Sequence, residues 1–248
     1  PYMPGQLAHR GFNLQRILVR MTMTSEGVLG VALMVSASYI FMFILFASFL
    51  KATKASKFFN DFAQALTGKA RGGPAKVAIF ASALTGTING SSQANVATTG
   101  SFTIPLMKET GYTPHFAGAV EAIASTGGVL MPPIMGAAAF IMSSLIGIPY
   151  STIIAAALTP SILYYFTLYN MVDLRAAKMG IVGMEKEKLP DLKDVILGRG
   201  YLILPLVLII GALVMGFSPV MAGFIGIIST IIAGAIKKET RLSITDIL

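Results

Sequence analysis

Long uncharged apolar runs alternate with short basic segments along this chain. Gly27–Leu50 carries no charge and, at about 1.5 Å rise per residue, is long enough to cross a hydrocarbon core of about 30 Å. Ser151–Val172, Tyr201–Phe217 and Pro219–Ile236 read the same way, with Pro160 predicting a kink in the first and Ser218 joining the last two. Residues 1–26 hold Pro1, Pro4, Gly5 and Gly11, then an amphipathic stretch with Arg16 and Arg20, which predicts a surface segment. Between Lys51 and Lys76, the residues Phe58, Phe59, Phe62, Ala65 and Leu66 recur at helical spacing, which predicts a helix lying along the membrane interface.

Two stretches break this pattern. Pro74–Leu84 and Ser101–Met107 are apolar, yet each is too short to cross a bilayer. Between them lies Thr85–Gly100, TGTINGSSQANVATTG, with no charge at all. Lipid cannot hydrogen-bond an open backbone, so such a tip must face protein or a polar cavity. A re-entrant hairpin over residues 74–108 is the expected form. Residues 115–147 are long enough to span, but STGGVLMPPIMG interrupts them at Ser125–Gly136. Pro133 lacks an N–H and Pro132 biases Met131 out of the helical region, so a broken helix is expected there.

Composition then fixes the class. The chain is 54% hydrophobic and 12% charged, with mean hydropathy +0.74, against about 25% charged for an ordinary soluble domain. The predicted fold is an all-α, polytopic helical membrane protein. A formal charge of +8 would suggest nucleic acid in a soluble protein, but here Lys and Arg fill the loops and follow the positive-inside bias. With the hairpin re-entrant, 16 of the 19 Lys and Arg fall on one side, leaving Arg10, Arg16 and Arg20 as the misfit. With no Trp, Tyr39, Tyr150, Tyr164, Tyr169 and Tyr201 are the candidates for an interfacial belt. There is no Cys, hence no disulfide or thiol chemistry. The opening on Pro1, without an initiator Met or signal peptide, reads as an internal piece of a longer chain.

The candidate chemistry gathers at the two interruptions. The tip offers Thr87, Asn89, Ser91, Ser92, Gln93, Asn95, Thr98 and Thr99, with Gly86, Gly90 and Gly100 allowing close backbone approach. Neutral oxygens suit a hard cation, and the start of the second arm offers N–H groups to an anion such as a carboxylate. The plain alternative is close helix packing of small residues. For the break, the alternative is a proline kink satisfied by neighbouring helices. Glu121 is the only acid inside a proposed span, and is read either as a functional charge or as a counter-ion for Lys108 or a helix partner. His9 and His115 fall in loops. No base–nucleophile pair, phosphate loop or metal-ligand spacing appears, so an enzyme is not expected.

RGGPAKVAIFASALTGTINGSSQANVATTGSFTIPLMKETGY (Arg71–Tyr112), followed by AGAVEAIASTGGVLMPPIMGAAAF (Ala117–Phe140), resembles the large membrane (M) subunit of tripartite ATP-independent periplasmic transporters. It looks closest to the fused, TAXI-type permeases. The resemblance implies sodium-coupled import of an organic anion, taken from a periplasmic solute-binding protein by an elevator mechanism. It also implies a prokaryotic cytoplasmic membrane, a small membrane subunit or its fused equivalent, and no cofactor beyond Na⁺ as coupling ion. Residues 27–248 would be a partial M subunit, whose second repeat starts near residue 201. Carried onto this chain, Gly90, Ser91, Ser92 and Asn95 with Gly127, Gly128, Met131 and Pro133 form the implied sodium site. Asn89, Gln93, Thr98, Thr99 and Thr126 would face the solute. Ile134 stands where the family often has Ser after the two prolines. A channel and a binding-protein-independent sodium–carboxylate carrier are the competing readings.

Overall fold

The computed structural model describes residues 11–241; the expectations for Pro1, Pro4, Gly5, His9 and Arg10 lie outside them. Among the described residues the regular elements are all helical. Helix α1 (Leu14–Thr22) is capped by the Asn13 side chain and buries none of its residues, in keeping with a surface segment. Helices α2 (Val31–Val35) and α3 (Phe41–Ala52) run on through a π-helical turn at Ser36–Ile40. Together they make a 22-residue apolar rod, one of three segments long and apolar enough to cross a membrane. The others are α9 (Tyr150–Met179) and the run Leu192–Val214, which holds α10 (Leu192–Arg199) and α11 (Leu204–Val214). Helix α12 (Pro219–Ala235) is apolar but shorter. Asp173–Arg199, whose six Lys/Arg and five acids predict a mixed-charge loop, is partly helical, since α9 runs on to Met179 and Asp191 caps α10.

Helix α4 (Ala55–Thr67) is present where the spacing predicts it, but its apolar face is not turned to lipid. Phe58 and Phe59 are buried in the core that also holds Phe43, Phe46, Leu206, Ile209 and Ile227 from α3, α11 and α12. Ala63 packs on Val77 and Ala81. An apolar helix face gains from burial wherever it is found, and here the protein supplies the partner.

The hairpin is α5 (Gly73–Asn89) and α6 (Ser92–Glu109), which pack along each other and against α7 (Pro114–Gly127). Its turn is only Gly90 and Ser91, far tighter than the loose 85–100 tip expected from composition. Tertiary packing explains the difference: Thr85, Gly86, Thr87, Ile88, Asn95, Thr99 and Gly100 are buried within the two helices. After α7 the chain leaves the helix for residues 128–136 and resumes as α8 (Ala137–Ile146), so the expected break is there. The root of the hairpin is tied to α9. Buried Lys76 lies 2.6 Å from Asp173, which also pairs with Arg71, and its ammonium sits 4.3 Å from the centroid of the Tyr169 ring. Burial, and then the Asp173 charge, push the nearby Tyr112 hydroxyl up to about 12. Ile162, Leu163, Phe166 and Met171 of α9 stay exposed, as a lipid-facing surface requires.

Candidate functional site

The hairpin turn and the helix break meet backbone to backbone. Gly90 has φ +57°, a left-handed conformation that favours glycine, and a Cβ there would stand 2.0 Å from the Met135 carbonyl oxygen. One turn back on α5, a Cβ on Gly86 would fall 2.3 Å from the Cα of Gly128. The sequence carries glycine at both crossings because no side chain fits between the two backbones. Ser91 is extended and caps α6 by accepting the Ala94 N–H; both Ser91 and Ser92 hydroxyls lie within reach of the Gln93 side-chain oxygen, at 3.3 and 3.2 Å.

Asn95 lies beside that crossing and is fully buried. Its Nδ2 donates to the Ser82 carbonyl at 2.8 Å, which fixes the orientation of the amide. Its Oδ1 is enclosed and has no hydrogen-bond partner among the described residues. Unpartnered buried acceptors are uncommon because water would otherwise satisfy them.

Further along the same seam, Glu121 is completely enclosed. Four hydroxyls from three helices surround its carboxyl group. Ser82 and Ser125 donate to Oε1 at 3.1 and 3.0 Å, Thr99 donates to the same oxygen, and Thr103 donates to Oε2 at 2.5 Å. Among the described residues Glu121 forms no ion pair, and Lys108 is exposed, so the counter-ion reading is set aside in favour of a hydroxyl cage.

The break is held from its other side by α9. Tyr150 Oη donates between the carbonyls of Pro133 and Ile134, at 2.9 and 2.6 Å, and its ring stacks on Phe140 at 4.4 Å. Ser161 donates to Leu130 at 2.6 Å, Tyr164 to Ile123 at 2.8 Å and Tyr165 to Ala124 at 3.1 Å. Carbonyls freed where a helix ends need such donors. Tyr150 and Tyr164, expected in an interfacial belt, are thus bonded to the broken helix. Replacing Tyr150 with Phe should cost about 1–2 kcal/mol by stranding two carbonyls. Leu should cost about 1 kcal/mol more, because the ring stack goes too. Denaturant unfolding in mixed micelles measures both, and equal stability of wild type and Y150F would remove the hydroxyl from this role.

The residues singled out in the sequence divide accordingly. Asn95 and Gly128 meet at the Gly86 crossing, while Gly90 meets Met135 at the other, with Ser91 and Ser92 at the turn. Gly127 faces the opposite way: a Cβ there would meet the Tyr164 ring at 2.6 Å, and its carbonyl accepts the Leu130 N–H. The Pro133 carbonyl is taken by Tyr150, and Met131 is half-buried in the break. Gln93 and Thr126 are exposed, and Asn89 and Thr98 are half-buried. Thr99 is enclosed and turned to Glu121. Gly86 was expected to allow close backbone approach and Ser125 opens the interrupted stretch, whereas Ser82 and Thr103 were not singled out. A signal for Thr103 was present, since it follows Thr99 by four residues.

Comparison with known proteins agrees with this architecture. Residues 3–248 match the family described as tripartite ATP-independent periplasmic transporter, DctM component. The C4-dicarboxylate TRAP transporter large permease protein DctM of Pseudomonas aeruginosa is 28% identical over 205 residues, covering 81% of this chain and 47% of that protein. YgiK of Salmonella typhimurium is 28% identical over 208 residues, 83% of this chain and 48% of that protein. The isethionate TRAP transporter permease protein DctMQ of Oleidesulfovibrio alaskensis is 37% identical over 91 residues, 37% of this chain and 14% of that protein. The chain spans about half the length of the first two relatives. It belongs to the DctM family of tripartite ATP-independent periplasmic transporter large permeases.

Proposed function

We propose that this chain is the first part of the transport unit of a secondary permease, which imports an organic anion with sodium and receives that anion from a periplasmic binding protein. The observation that carries the coupling is the buried, unpartnered Oδ1 of Asn95, a residue whose Nδ2 lies against the Gly86–Gly128 crossing. A neutral amide oxygen among close-packed backbones suits a small hard cation, which takes oxygen ligands and needs close approach. Asn95 would supply a side-chain oxygen, with backbone near Gly90 and Gly128 completing the set; Ser91, Ser92, Gly127, Met131 and Pro133 remain the outer candidates. A carboxylate is the proposed solute group, and the relatives named for C4-dicarboxylates and isethionate support an organic acid. Gln93, Thr98 and Thr126 are its proposed contacts, together with Asn89, whereas Thr99 is enclosed against Glu121.

The hairpin meets the break at Gly90–Met135, crosses it at Gly86–Gly128 and is pinned to α7 through Glu121. That continuity supports a block moving as one piece, as an elevator requires. The proposed setting is the cytoplasmic membrane of a prokaryote, with a small membrane subunit or its fused, TAXI-type equivalent. The test is uptake by the full-length permease in vesicles, with and without candidate binding proteins. Uptake should need a sodium gradient, and N95A should raise the sodium concentration for half-maximal rate by about tenfold, the loss of roughly one good ligand bond. Sodium-independent uptake that follows a proton gradient would sink the coupling. Uptake by the permease alone would transfer the chain to binding-protein-independent carriers.

A further inference from the structure

A second polar site lies on the other face of the hairpin. Thr85, Asn89 and Thr98 line a cavity of about 20 Å³ whose far wall is Lys51 at the end of α3 and Ser56 on α4. That volume accommodates one water-sized group, for which about 10–15 Å³ suffices.

The polar groups around it are unevenly spent. Thr98 gives its hydroxyl hydrogen to the Ala94 carbonyl, and Thr126 and Thr167 likewise bond back one turn. Thr85 does not. It is 3% exposed, and its Oγ1 has no hydrogen-bond partner among the described residues. Lys51 has no ion-pair partner among the described residues, and Asp61, the acid on α4, is engaged by Arg199. An exposed lysine and an enclosed, unused hydroxyl lining one cavity favour an acceptor carrying negative charge. It disfavours sodium, which the ammonium would repel.

We propose that this cavity is an anion subsite that takes one oxygen of the solute's carboxylate, with Lys51 as its counter-charge and Thr85 as an enclosed donor. The carboxylate assignment rests on the transport reading above; the anion site itself does not. Asn89 and Thr98, already expected to face solute, line this same cavity. The organic remainder of the solute would extend from the cavity's open side, since only one oxygen fits within. The same chemistry would also hold a chloride ion, so the test separates the two.

The experiment follows the thermal unfolding midpoint of purified full-length permease at fixed total sodium, titrated with sodium succinate or with sodium chloride. Succinate should raise the wild-type midpoint and chloride should not. K51Q should raise the succinate concentration giving half the shift by about tenfold, as loss of a charge-assisted bond implies. T85V should weaken the response as well. Without anion, T85V should be as stable as wild type, because it removes an unsatisfied buried hydroxyl while keeping the shape. K69Q, an exposed lysine at the foot of the hairpin, should respond as wild type does. A chloride response lost in K51Q and T85V would keep the anion site but give it to a halide. Unaltered responses in both variants, or no response to either anion in wild type, would overturn the site. An intact anion response without sodium-driven uptake would instead sink the transport reading and leave the subsite standing.

Discussion

Replacing Glu121 with alanine will destabilise the folded protein by about 3–5 kcal/mol, the range for a truncation that both opens a cavity and strands buried polar groups. The cost is not spread evenly over the four hydroxyls. Thr99 lies 2.9 Å from the Asn95 carbonyl and Thr103 lies 3.0 Å from the Thr99 carbonyl, so both can turn back to their own helix. Ser82 and Ser125 are left with each other at 3.5 Å and, for Ser82, with Thr99 at 3.1 Å. Glutamine keeps the shape and one acceptor, and its amide can donate to hydroxyl lone pairs, so E121Q should cost only about 1–2 kcal/mol. Methionine fills the space without polar atoms and should fall between the two, which separates cavity from hydrogen bonding. Denaturant unfolding in mixed micelles gives all three values. If E121A proves as stable as wild type, the cage holds nothing together and the seam needs another explanation.

That cage also shows how far the chain can be read before it is folded. Glu121 stands out in sequence because an acid inside an apolar run has to be accounted for. Its partners do not, because Ser82, Thr99 and Thr103 reach it only once three helices pack. The hairpin was legible through its two short arms, and the break through Pro132 and Pro133. The width of the tip was not. Gly, Ser, Thr and Asn are weak helix formers, and tertiary packing holds residues 85–89 and 92–100 in helices. Adjacent glycines were likewise indistinguishable: Gly127 meets α9 and Gly128 meets the hairpin, a difference set by about 100° of helical rotation. On α4 the spacing revealed an apolar face but not what covers it, since lipid and protein reward the same pattern.

Substituting alanine for Gly86 should separate the hairpin from the broken helix, costing about 2–3 kcal/mol and abolishing sodium-dependent uptake. The new methyl carbon would stand 2.3 Å from the Gly128 Cα, and backbone cannot swing aside as a side-chain tip can. Relief requires moving α5 off α7, which lengthens every bond across the seam and displaces Asn95 from the crossing. Gly128→Ala should act alike, since its Cβ would meet the Gly86 Cα at 2.7 Å and Asn95 Nδ2 at 3.0 Å. Gly118 supplies the comparison on the same helix, α7. A Cβ there meets nothing within 4 Å, so G118A should be neutral or stabilise by up to about 1 kcal/mol through helix propensity. Unfolding midpoints and sodium-driven uptake, measured side by side, decide the matter. Were G86A to behave as G118A does, the two backbones would not be in contact in the working protein, and an ion held between them would have no cradle.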